Sequence, residues 1–238
     1  MWISCKVEDI AWYDTVILCD FDWTITSKDV CDEIMNRFWK DNWHKAGELY
    51  DQQQISHKEL NRIFIDHLDV SPHDLELFLN ENINIREGFF TFIENCRKRR
   101  CLPIIISWWW DFYIKSVLKD INLSFNESVE WIDFDSSDMI NVFSNRISFN
   151  ENIWDIEYVQ DTDNDEVVPD KGFILSEIRS KWIKKVYVIW DSTTDFWVAE
   201  NADFVFSCWK LSHFCKDNQI KHYNFNNFNE IDIFLNNI

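Results

Sequence analysis

The sequence predicts an α/β fold: a doubly wound parallel sheet with a small all-helical insertion after the first strand. Three observations carry this. Short apolar runs at Val16 to Cys19, Leu102 to Ile106 and Val186 to Ile189 read as strands buried on both faces, the kind found inside a parallel sheet. Stretches of helical periodicity separate them, and such β–α alternation with crossovers points to a parallel sheet. Between the first and second runs, residues 31–83 carry helical signals only.

In order, Trp2 to Asp14 is a lead-in of little information, and Val16 to Cys19 is the first strand. Ser27 to Phe38 reads as a helix, with Val30, Ile34 and Phe38 at spacings of four. Lys40 to Gln54 is polar and mostly helical. Ser56-x-x-Glu59 is a capping box that opens a helix through Leu68. Ser71-Pro72, a cap followed by proline at the first helical position, opens another to about Asn80. Arg86 to Arg100 is an amphipathic helix with Phe89, Phe92, Ile93 and Cys96 inward, and Leu102 to Ile106 is the second core strand. Asp111 to Leu118 follows as a helix, and weak alternation over Asn141 to Gln160 suggests short strands or a hairpin. Asp161 to Asp170 is an acidic loop that lacks the spaced glycine and terminal glutamate of a calcium-binding loop. Lys171 to Ser180, Thr194 to Glu200, Lys210 to Asp217 and Asn229 to Leu235 read as helices, and Lys185 to Ile189 and Asp203 to Phe206 as strands.

Chemistry gathers where strands end. Asp20 and Asp22 follow the first strand at a spacing of two, so in an extended chain both face one pocket while Phe21 packs behind. Open α/β sheets bind ligands at this end of their strands. Ser107 follows the second core strand, and Asp191 and Asp195 follow the strand at Val186 to Ile189. Lys171 opens a helical stretch between them. Each has a plain structural reading: an acidic loop, a helix cap, a first-turn acid, a surface lysine.

The ordered set Asp20-x-Asp22-x-Thr24, Ser107, Lys171 and Asp191-x-x-x-Asp195 resembles the four motifs of the haloacid dehalogenase (HAD) superfamily of aspartate-nucleophile phosphatases, over roughly residues 14–236. The stretches DFDWTITSKD from Asp20, IREGF from Ile85, SWWWDFYI from Ser107 and DFVFSCWKLSHFCK from Asp203 resemble its phosphoserine-phosphatase-like branch, and within it the phosphatases of methionine salvage. The resemblance implies a HAD-like core from residues 1–30 and 84–238, with residues 31–83 as a helical cap. It implies an aspartyl-phosphate mechanism with Asp20 as nucleophile and Asp22 as acid and base. Ser107 and neighbouring backbone N–H groups, that of Trp108 among them, would bind phosphate with Lys171. Mg²⁺ would be held by the carboxylates of Asp20 and Asp191 and the backbone carbonyl of Asp22, with Asp195 beside the metal. Three carboxylates crowded around a phosphate need such cations, since a like-charge pair at 4 Å costs about 4 kcal/mol at an effective dielectric of 20. Asp29 falls where phosphoserine phosphatases carry a substrate-contacting glutamate; it equally suits a first-turn helix acid. The implied substrate is a small phosphorylated metabolite of methionine salvage, with phosphoserine or another small phosphate ester as the alternative.

Composition narrows the setting. The 238 residues suffice for one α/β domain with an insertion. A formal charge of −19 argues against nucleic acid or an anionic membrane as partner, since both need a basic face. No apolar run approaches membrane-spanning length, Met1 to Tyr13 is unlike a signal peptide, and seven cysteines without a C-x-x-C pair read as reduced. The expectation is a cytoplasmic monomer or homodimer.

One pair of counts is abnormal: 3 glycines and 14 tryptophans, together 17. Average usage of about 7% predicts roughly 17 glycines in a chain this long. Where the resembled family carries glycine, this chain has Trp23, Trp108, Trp109 and Trp190, and Trp182 stands at a helix-to-strand junction; Trp110 completes the same run. Two readings compete. Either the tryptophans are genuine and the protein is a non-catalytic HAD-like binding module, or the source decodes UGA as glycine. The counts and positions favour the second. Trp43 is the exception, expected to be a genuine tryptophan.

Overall fold

The computed structural model describes residues 13–39, 42–126, 139–160, 169–180, 183–193 and 196–237. Its centre is β1 (Thr15–Asp20), buried at all six positions. Parallel neighbours flank it: β2 (Cys101–Trp110) on one side and β6 (Lys185–Trp190) on the other. Beyond β2 lie β4 (Ile140–Asn150) and β3 (Leu123–Phe125); beyond β6 lie β7 (Phe204–Ser207) and β8 (His222–Asn224). Every pairing along this row is parallel, and β5 (Ile153–Glu157) adds an antiparallel hairpin to the far end of β4.

The described helices are α1 (Val30–Phe38), α2 (His44–Asp51), α3 (His57–Asp66), α4 (Pro72–Asn82), α5 (Phe89–Lys98), α6 (Asp111–Val117), α7 (Lys171–Ser180), α8 (Phe196–Asn201), α9 (Trp209–Asp217) and α10 (Phe228–Leu235). The period-2 alternation of strands sorts the core into two layers. Val16, Leu18, Ile104, Ile106, Val186 and Val188 face α7 and α9 through Ile174, Leu175, Ile178 and Leu211. Ile17, Cys19, Ile105 and Ile189 face the other way, toward Phe89, Phe92 and Ile93 of α5 and Phe228 and Ile231 of α10. Helices on both faces of a parallel sheet is the expected doubly wound arrangement.

Helices α1 to α4 form the block between β1 and β2. The Asp29 carboxylate caps α1 by accepting the Asp32 N–H at 3.0 Å. The Ser56–Glu59 capping box opens α3, and Ser71 with Pro72 opens α4. The chain enters and leaves this block along one short antiparallel contact. Thr26 bridges Ile85, Ser27 N–H donates to the Asn84 carbonyl at 3.1 Å, and Arg86 N–H to the Ile25 carbonyl at 2.7 Å. The block shares the apolar layer of α5 and α10 rather than owning a separate core, since Phe64, Leu75 and Leu79 join the same cluster. The β4–β5 hairpin braces it: the Trp154 indole N–H donates to the Val70 carbonyl at 2.8 Å, and the Tyr158 hydroxyl to that of Lys58 at 2.7 Å.

Some sequence expectations need correction. The second core strand runs past Ile106 to Trp110, because it bulges there and resumes its pairing: Ile106 pairs with Phe143 and Trp110 with Asn145. Within the mostly helical stretch expected over Lys40 to Gln54, the described helix is His44–Asp51. The three-residue edge strands β3 and β8 were not foreseen. The acidic loop at 161–168, Trp182 and Asp195 lie outside the described residues.

Candidate active site

The site is built where β1, β2 and β6 end side by side. Asp20, the last residue of β1, turns one carboxylate oxygen to the Phe21 N–H at 2.9 Å and the other to the Lys171 ammonium at 3.1 Å. Lys171, only 3% exposed, is the first residue of α7. A buried lysine needs a countercharge, and Asp20 supplies one. Asp191 follows β6, is buried, and accepts from the Thr24 hydroxyl at 3.5 Å. Asp22 is buried with both oxygens engaged: the Val30 N–H at 2.7 Å on one, the Tyr113 hydroxyl at 2.6 Å on the other. Ser107 sits at the start of the β2 bulge, its hydroxyl accepting the Trp109 N–H at 3.2 Å and lying 3.2 Å from the Tyr113 hydroxyl. A bulge re-aims backbone out of its ladder. Here it brings residues 107–109 to the strand-end pocket.

The turn after β1 has its own clamp. The Phe21 carbonyl accepts from the N–H groups of Ile25 and Thr26 at 2.8 and 3.0 Å. Arg86, at the exit of the helical block, donates Nε to the Thr24 carbonyl at 2.8 Å and a second guanidinium N–H to that of Trp23.

Asp20, Asp22, Lys171 and Asp191 line a cavity of about 290 Å³ with Trp108, Trp109, Asp29, Asp32, Ser192 and Lys210, and Ser107 directly precedes Trp108. A larger cavity of about 800 Å³ opens among Phe38, Phe78 and Phe149, away from every strand-end carboxylate, so the smaller one is the candidate site. Burial pushes Asp22 up to about 7, against the Tyr113 and Val30 hydrogen bonds and helped by the charges of Asp20 and Asp191. Burial, then the charge of Asp20, pushes Asp191 up to about 7. Asp29, which both caps α1 and lines the cavity, is raised well above the usual carboxylate range by burial and the charge of Asp22. From the helical block, His57 of α3 approaches Trp108 and Trp109; burial and the charge of Lys171 lower it to about 3, so it stands neutral.

The structure thus brings together Asp20, Asp22, Ser107, Trp108, Lys171 and Asp191, with Asp29 at the edge; Asp195 lies outside the described residues. Sequence reasoning missed Tyr113 and Arg86, which had no signal beyond a tyrosine on an apolar helix face and an arginine before a turn. It also missed Trp209, whose ring packs tilted against that of Trp23, 4.7 Å between centroids, in the cavity lining.

Eight of the described tryptophans fall into two groups. Trp43, Trp110 and Trp154 are hydrogen-bonded through the indole N–H, to Asn36, Asn61 and the Val70 carbonyl. Trp39, Trp108 and Trp190 bury that N–H with no acceptor among the described residues. Trp23 and Trp209 hold the backbone at φ 54° and 49°, the left-handed region that favours glycine. Trp108 and Trp190 also close on the Lys171 ammonium, their ring centres at 4.8 and 4.9 Å.

No protein-family model matches the chain. Among solved structures, a phospho-aspartyl intermediate analogue of phosphoserine phosphatase superposes with a TM-score of 0.64 at 18% identity, covering 93% of this chain and 99% of the other. A HAD family hydrolase from Salmonella enterica serovar Typhi gives 0.65 at 13%, covering 91% and 69%. The chain has the HAD fold. Two curated relatives are similar along nearly their whole length, both called 2-hydroxy-3-keto-5-methylthiopentenyl-1-phosphate phosphatase. That of an Exiguobacterium strain is 24% identical over 93% of this chain and 97% of its own. That of Bacillus pumilus is 26% identical over 90% and 87%.

Proposed function

We propose that this protein is a magnesium-dependent phosphomonoester hydrolase that works on a small metabolite through an aspartyl-phosphate, with 2-hydroxy-3-keto-5-methylthiopentenyl-1-phosphate as the leading substrate and phosphoserine as the next. The observation that carries it is the buried constellation of Asp20, Asp22, Asp191, Ser107 and Lys171 at three adjacent strand ends of a HAD fold.

The residues fit Mg²⁺. Asp20, Asp191 and the Asp22 carbonyl form a hard oxygen set of the kind that suits it. Among the described residues no group of three or more His, Cys, Asp or Glu side chains is arranged around a metal point. Two carboxylates and a carbonyl do not need one. When bound, the metal neutralises phosphate and carboxylate charge. The chain's own groups do the rest. The Asp20 carboxylate attacks phosphorus and the bond to the leaving oxygen breaks. Asp22, poised near 7 and so well supplied with its proton at neutral pH, gives that proton to the leaving oxygen. It then takes a proton from the water that attacks the aspartyl-phosphate, and phosphate leaves Asp20 free. Lys171 and Ser107 hold the phosphoryl oxygens. Residues 31–83 serve as a cap that sets which ester is admitted.

Positions 23, 108, 109, 190 and 209 are read as glycine in the working protein. Left-handed backbone at two of them and orphaned indoles at two others support this. UGA codons there, with UGG at 43, 110 and 154, are the expected coding sequence; UGG at 23 and 209 contradicts it. The activity test is p-nitrophenyl phosphate and a panel of small phosphate esters, with Mg²⁺ and with chelator, on the five-glycine protein. Turnover that disappears with chelator and with Asp20→Asn is expected. Turnover indifferent to both refutes the mechanism.

A further inference from the structure

Tyr113 is fully buried on α6, directly after the β2 bulge. Its ring packs on Phe21, the residue between the two aspartates, at 5.4 Å between centroids. A phenylalanine would fill that space equally well. The hydroxyl is what differs, and it reaches the site twice: it donates to Asp22 Oδ2 at 2.6 Å and lies 3.2 Å from Ser107 Oγ. A separation of 2.6 Å is at the short end of O–H···O hydrogen bonds. The opposite oxygen, Asp22 Oδ1, is fixed by the Val30 N–H at 2.7 Å.

A carboxyl held at one oxygen can still swing about its terminal torsion, which is broad for aspartate. Held at both, it has one orientation. The Val30 N–H belongs to the helical block and the Tyr113 hydroxyl to the core, so Asp22 is pinned between them.

We propose that Tyr113 is a positioning residue: its hydroxyl orients the Asp22 carboxyl toward the leaving oxygen and ties it to Ser107, so that proton delivery and phosphate grip share one geometry. This rests on the reading of Asp22 as acid and base.

The leaving group discriminates this role from plain packing. p-Nitrophenolate leaves without a proton; an alkoxide must receive one. In the full-length chain with glycine at 23, 108, 109, 190 and 209, kcat and KM are measured with Mg²⁺ for p-nitrophenyl phosphate and for 2-glycerophosphate, before and after Tyr113→Phe. The expected result is a fall in kcat of about ten- to a hundredfold on the alkyl ester. On the aryl ester the fall is expected to be several times smaller, with KM little changed on both. In an Asp22→Asn background, Tyr113→Phe is expected to add no further loss on the alkyl ester. Equal losses on both esters, no loss on either, or an independent loss in the Asp22→Asn background overturns the proposal. A melting temperature for Tyr113→Phe shows that the compared proteins are folded, and a variant that does not fold contradicts the claim that the ring alone satisfies the packing. Asp20→Asn separates the two levels. If it spares turnover, the aspartyl-phosphate reading fails; if it abolishes turnover and Tyr113→Phe still shows no ester dependence, only the Tyr113 role fails.

Discussion

Trp23 and Trp209 are the residues where backbone and side chain disagree. Among the described residues, seven non-glycine positions have positive φ. Gln53, Arg100 and Gln219 follow helices, and Glu151 with Asn152 form the hairpin turn; at such places flexible or short polar side chains are tolerated. The two tryptophans instead line the cavity, their rings packed against each other at a tilt. Each left-handed non-glycine residue costs about 1–3 kcal/mol. The ring contact returns about 0.5–1.5 kcal/mol, and each new glycine costs about 0.5–1 kcal/mol of chain entropy. Strain wins, so the Trp23→Gly, Trp209→Gly double variant is expected to be more stable by about 1–2 kcal/mol, read by urea or thermal unfolding. Trp110→Gly is expected to go the other way by about 3–5 kcal/mol, because it empties a fully buried site and orphans Asn61. Equal shifts at both sites would contradict the sorting. At this scale Asp20, Asp22, Ser107, Lys171 and Asp191 were legible, because each stands next to an apolar run or opens a helix. Tyr113 was not, since a tyrosine on an amphipathic helix reads as core until its hydroxyl is seen on Asp22. Nor could Trp209 be told from other exposed aromatics without its φ.

At the scale of elements, capping residues announced α3 and α4 correctly, because a cap is a local hydrogen bond that sequence spacing alone dictates. The β2 bulge, the short edge strands and the bracing hairpin depend on partners far along the chain, and no local signal fixes them. The hairpin makes a prediction about the helical block. The Arg62–Asp155 pair is exposed, and such pairs contribute little. Trp154 is buried and bonded to the Val70 carbonyl. Arg62→Ala is expected to leave hydrogen exchange in α4 nearly unchanged, while Trp154→Ala costs about 3–5 kcal/mol and speeds exchange through α3 and α4. Similar effects from both would mean that surface charge, not the buried indole, fastens the block.

The whole molecule is a sheet whose apolar layers were written plainly in the sequence, carrying a site that concentrates negative charge at its centre. Burial pushes Asp22 and Asp191 up to about 7 from the usual carboxylate value near 4. Between those values the folded protein holds more protons than the unfolded chain, so stability falls as pH rises from about 4 through about 7. Mg²⁺ relieves that penalty only where the carboxylates are ionised. The rise in melting temperature on adding Mg²⁺ is therefore expected to be larger at pH 8 than at pH 5, by calorimetry; a pH-independent rise would mean that the metal binds elsewhere. The central claim is narrower: Asp20 carries the phosphoryl group. The five-glycine protein, turning over a small phosphate ester with Mg²⁺ and quenched in acid, is digested and its peptides are weighed by mass spectrometry. A phosphoryl group on the Asp20 peptide, absent from Asp20→Asn, is the result predicted. Continued turnover with the label absent, or found on another residue, would contradict the account.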